Sequence, residues 1–138
     1  MPPVPPPNAD VAAAAAHGHA GPLPLLDLAV LRDLEDHLDV PLVRNFASDY
    51  VGMWEYRCRR LAEAVARPNG KDEALDAVIS LKVTSHMIGG LRLAGLAGTL
   101  EAQIRKGALR ESGVLLSEIR ECGQGTVQAI RRRYSGQA

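Results

Sequence analysis

Reactive side chains are few in this chain: four histidines, two cysteines and scattered carboxylates among 138 residues. His86 has the ring-nitrogen lone pair that an acceptor in phosphoryl transfer requires. It falls in the last turn of a helical pattern, where an ordinary surface histidine is the plainer reading. His37 closes an earlier helical pattern in the same way. His17 and His19 flank a glycine in a Pro/Ala/Gly segment. Such a pair could hold a metal only weakly, so an incidental tail is expected and no metal site. Cys58 and Cys122 each fall in an apolar periodic stripe and read as small buried hydrophobes, not as a disulfide or ligand pair. That usage suits a reducing cytoplasm. No Gly-rich phosphate loop, His-Glu-x-x-His pair or nucleophile elbow is present, so no enzyme and no cofactor are expected. Acidic residues such as Asp33 and Asp36 beside Arg32 have charge-pair spacings and read as solvated faces.

The elements that must position these groups are helical. Apolar residues make up 46% of the chain and aromatics only 4%, a palette that favours closely packed helices over a sheet sandwich. Residues 1–24 are rich in Pro, Ala and Gly and read as a disordered tail. Residues 25–138 read as the folded domain. Asp27 is a good N-cap for a short first helix carrying Leu28, Leu31, Leu34 or Glu35, and Leu38. Pro41 suits the first turn of the second helix, whose stripe is Val43, Ala47, Tyr50, Trp54, Cys58, Leu61 and Val65. Trp54 reads as a core anchor. A third helix is expected from about Asp72 to Ile88, stopped by Gly89-Gly90. A fourth runs to Lys106, and a fifth from about Ala108 to Tyr134 with Leu115, Ile119, Cys122, Thr126 and Ala129 or Ile130 inward. Gly113, Gly123 and Gly125 in that last segment permit either close helix contact or a break. Short connections make an up-and-down bundle.

At about 100° per residue, with Leu81 facing the core, Ala74, Ala77, Val78, Thr84, Ser85 and Ile88 lie within about 60° of it. Ile79, Val83 and His86 fall roughly 140–200° away, towards solvent, and Lys82 sits on the shoulder at about 100°.

Val78 to Glu101 read VISLKVTSHMIGGLRLAGLAGTLE. This stretch resembles the signature of histidine phosphotransfer (HPt) domains, which runs roughly A-H-x-L-K-G-S-S-x-x-L-G-A-x-x-L-A-x-L-A-x-x-L-E. Leu81, Lys82, Thr84, Ser85, Ile88, Gly89, Gly90, Leu93, Ala94, Leu96, Ala97, Leu100 and Glu101 match it. The resemblance covers about Pro41 to Ile104 well and the last helix loosely. It implies an all-α fold: an up-and-down four-helix bundle of HPt type, here with a short extra N-terminal helix. In that family the phospho-accepting histidine is exposed in mid-helix, with Lys three residues on and Gly four residues on. Lys82 keeps its place. Ile79 stands where the histidine would be, and Val83 where the glycine would be. Isoleucine has no lone pair, so the usual transfer is lost at this position. Shifting the register to put His86 at the acceptor position sacrifices the match through Glu101.

The resemblance therefore implies a signalling module of a two-component phosphorelay whose partner is a response-regulator receiver domain or a hybrid sensor kinase. Ile79, Lys82, Val83 and His86 are its candidate binding residues. An active phosphocarrier using His86 is the second reading. A structural or self-associating bundle, monomeric or weakly associated, is the third. The formal net charge is zero, which gives no field to attract nucleic acid or membrane. Arg131-Arg132-Arg133 reads as a solvated helix end. No apolar run reaches the length of a membrane span, no secretory signal is evident, and a cytoplasmic location is expected.

Overall fold

A computed structural model describes residues 23–135. Its elements are α1 (Leu28–His37), α2 (Val40–Ala66), α3 (Lys71–Ile88), α4 (Leu91–Arg105), a single 3-10 turn (Leu109–Glu111) and α5 (Gly113–Ser135). The described residues contain no strand, and the fold is an all-α bundle. The expected tail up to residue 22, with His17 and His19, lies outside the described residues.

Local chemistry explains the boundaries. The Asp27 carboxylate accepts from the Ala29 N–H at 2.9 Å and starts α1. Asp39 does the same for Leu42 at 2.8 Å, with Pro41 in the first turn of α2. Each such cap contributes about 1 kcal/mol. Gly89 ends α3 at φ 90°, a conformation disfavoured for residues with a Cβ. The next N–H, of Gly90, returns to the Ser85 carbonyl at 2.8 Å, which closes the last turn.

The four long helices form a closed cycle of neighbours: α2 on α3, α3 on α4, α4 on α5 and α5 back on α2, with α1 against α2 and α3. Cross-helix bonds show the antiparallel course of α2 and α3. Passing along α2 from Tyr50 through Arg57 to Arg60, the partners step back along α3 from Ser85 through Ser80 to Asp76. The inward stripes of α2 and α5 are largely those the periodicity calls for, whereas on α1 Leu31 is buried but Leu28 and Leu38, expected inward, are exposed. Val43, Ala47, Tyr50, Trp54 and Leu61 of α2 are buried, with Cys58 and Val65 half-buried against the core. Both cysteines are free thiols. From α5, Leu115, Ile119, Thr126, Val127 and Ile130 are buried.

Three further details depart from the sequence expectations. The last long helix starts five residues later than Ala108. Gly107 takes φ 77°, a 3-10 turn follows, and the buried Ser112 hydroxyl bonds the Leu109 carbonyl before α5 begins. The folded part also begins before residue 25. The α4 N-terminus has no side-chain cap, because Gly90 stands there. The Pro24 carbonyl takes its place by accepting from the Arg92 N–H at 3.0 Å, while the Leu23 carbonyl accepts from Arg92 Nε at 3.1 Å. Asp27 N–H adds a bond to the Gly89 carbonyl at 2.8 Å. Residues 23–27 thus form a strap across the α3–α4 turn. Finally, the triple-arginine end is not uniformly solvated. Arg131 and Arg132 are exposed, but Arg133 and the Tyr134 hydroxyl both donate to Glu35, at 3.0 and 3.1 Å, and fasten α5 to α1.

Candidate functional site

The outward side of α3 is built by packing on its two flanks. Asp76 and Ser80 meet α2, through Arg60 Nη2 to Asp76 Oδ2 and Arg57 Nη1 to Ser80 Oγ, both 2.8 Å. Lys82 meets α4, where its ammonium donates to Glu101 Oε1 at 2.5 Å. Between these flanks Val83 is 48% exposed.

Ile79 is placed differently from Val83. It is half-buried and packs against the core cluster, although the helical wheel puts both residues on the outward side. The wheel counts one buried face per helix. Here α3 has a neighbour on each flank, and the side-chain row it shares with Leu75 and Lys82 is partly covered. His86 is exposed at the last turn. Of the four candidate residues, then, Val83 and His86 are open to solvent, Lys82 is engaged in an ion pair, and Ile79 is half-buried against the core.

Lys82 is not alone on Glu101. Arg105 binds the other carboxylate oxygen through Nε at 3.0 Å and Nη2 at 2.9 Å. The Lys82 bond first, and the Arg105 bond second, hold the Glu101 carboxyl below the usual carboxylate range. The carboxylate is thus a fixed counter-charge to Lys82. Sequence reasoning matched Glu101 to the family pattern without seeing this pair. The sequence shows the two residues as separate matches nineteen positions apart.

Further residues join the surface. Met87, one turn beyond Val83, is 49% exposed. On α2, Met53 is 40% and Tyr56 50% exposed. The register set by Tyr50–Ser85 and Arg57–Ser80 places Met53 opposite Val83. Two facing rows result, Met53-Arg57-Arg60 on α2 and Asp76-Ser80-Val83-Met87 on α3, with Tyr56 on the solvent side of the first. The signal for Met87 was present, since it lies four residues after Val83. Met53 and Tyr56 gave no such signal, because only the α2–α3 pairing brings them to this place.

The other histidine with a described position, His37, is exposed, and its Nδ1 lies 2.8 Å from the Asp33 carbonyl. That bond, with the Asp33 carboxylate, raises its pKa. It marks a helix end. No group of three or more His, Cys, Asp or Glu side chains suited to a metal ion occurs among the described residues. No described helix is long and apolar enough to cross a membrane. Comparison of the chain with family models, with curated proteins and with solved structures finds no match.

Proposed function

We propose that this chain is an HPt-like four-helix signalling module that binds a response-regulator receiver domain, free or within a hybrid sensor kinase, without carrying the phosphoryl group itself. The observation that carries this reading is the exposed apolar pair Val83 and Met87, on the side of α3 where the resemblance places the docking face. Single exposed apolar residues are common on protein surfaces. A contiguous group that includes Met53 and Tyr56 is characteristic of an interface. Two features support the loss of transfer. Ile79 offers no nucleophilic atom, and the Lys82 charge, which in the family meets the phosphoryl group, is committed to Glu101.

Val83 and Met87 are already about half-buried, so burying the rest of each against a partner contributes about 0.7–1.5 kcal/mol before ordering costs. Val83→Asp replaces that gain with a desolvation penalty at an exposed site where the fold does not depend on it. In an NMR titration with purified receiver domains, the wild-type chain should bind and shift α3 resonances. V83D, with an unchanged far-UV spectrum, should bind at least about tenfold more weakly, a loss of roughly 1.4 kcal/mol. Equal affinity of the two proteins rejects this face as the interface. Ile79→Asp is the poorer probe, because a carboxylate there would be half-buried against the core.

A further inference from the structure

We infer that Arg57 is the cationic anchor of this docking surface, and that the surface fits a partner whose apolar centre is bordered by a carboxylate. The inference rests on the docking reading above and adds the charge that the partner must present. Among the nearby cations, Arg60, Lys82 and Arg105 each have a carboxylate partner. Arg60 pairs with Asp76 at 2.8 Å. Lys82 and Arg105 share Glu101. Asp49, exposed one turn before Met53, lies at the rim.

Arg57 differs from all of these. Its Nη1 donates to a neutral partner, Ser80 Oγ, and its Nε is buried without a hydrogen-bond partner. No carboxylate stands within ion-pair distance of it among the described residues. A half-buried guanidinium beside Met53, Tyr56 and Val83 has the composition of an interface hot spot, in which Arg and aromatic residues dominate. The Ser80 bond holds its planar fork in place, so binding a carboxylate costs less side-chain ordering than recruiting a free lysine would. A partner carboxylate would therefore meet Arg57 and not Lys82, because approaching Lys82 means approaching the Glu101 carboxylate as well.

The test measures the affinity of the full chain for a panel of purified receiver domains by titration calorimetry, at low and high salt. Arg57→Gln, which can keep a bond to Ser80, should lose about tenfold in affinity and most of the salt dependence. Arg57→Lys should recover part of both. Lys82→Gln should lose less affinity than Arg57→Gln. Ser80→Ala, which keeps the cation but frees it, should lose less than R57Q and retain the salt dependence. If R57Q binds as wild type does, or K82Q loses more than R57Q, the anchor assignment is overturned and the docking proposal stands. If the wild-type chain binds no receiver domain at all, both fall.

Discussion

Ser85 and Tyr50 show how much one buried contact contributes. Their hydroxyl oxygens are 2.6 Å apart in the core between α2 and α3. Burial pushes the Tyr50 phenol up to about 12, an effect that the Ser85 bond only partly offsets. The unfolded phenol ionises near pH 10. A group whose folded value is raised stabilises the fold while protonated. Its contribution is complete below pH 10 and is lost as the pH rises from about 10 to 12. Urea unfolding should show the wild type losing about 2–3 kcal/mol across that window. Tyr50→Phe should lack this component, and near neutral pH it should cost about 1–3 kcal/mol by leaving the Ser85 hydroxyl unpaired. Parallel alkaline profiles for the two proteins would refute the assignment. At the same scale, Ile79 shows the limit of a single-residue reading. Its chemistry, an aliphatic group with no lone pair, is certain from its identity. Its half-burial is a property of its neighbours.

Helix pairs decide what the residues between them can do. Gly123 of α5 leaves room for the Trp54 ring of α2, and a Cβ built there would come within 1.9 Å of Trp54 Cη2. The sequence left that glycine between two roles, close contact or helix break. The unbroken run of α5 from Gly113 to Ser135 decides for contact. Gly123→Ala should therefore cost about 3 kcal/mol or more through overpacking. The loss should be smaller in a Trp54→Phe background, where the ring is smaller, because the two sites are coupled. Additive losses in a denaturant double-mutant cycle would exclude the clash. The α2–α3 pair acts in the same way on the candidate site. It alone brings Met53, Tyr56 and Arg57 beside Val83.

Across the whole molecule, the strap and the Glu35 clamp tie the N-terminal part of the described fold to the bundle at two places. The strap supplies an acceptor for the Arg92 N–H and a second donor, beside the Leu91 N–H, for the Gly89 carbonyl. Leu26 packs against the core beside it, and Leu23 reaches the face of α4 at Gly95. A chain beginning at Asp27 should be less stable than one beginning at Leu23 by about 2–4 kcal/mol, from two lost hydrogen bonds of Arg92, one backbone and one side-chain, and from the lost packing of Leu23 and Leu26. Amide exchange at Arg92 should accelerate with it. Identical denaturation midpoints for the two chains would show that the strap contributes nothing.

Periodicity and punctuation alone determined the number and order of the helices, the Asp27 start, the Gly89-Gly90 stop and most inward faces of the long helices, because a 3.6-residue repeat, an Asp before a helix and a Gly-Gly after one act within a few residues. They also determined that position 79 has no acceptor atom. Only the tertiary structure decided that Ile79 sits lower than Val83, that Lys82 is bound to Glu101, that Arg57 meets no acid, and that residues 23–27 belong to the fold. Those outcomes depend on which helix lies beside which, and at what register. One helix cannot encode by its own repeat the side chains that a distant segment will set against it.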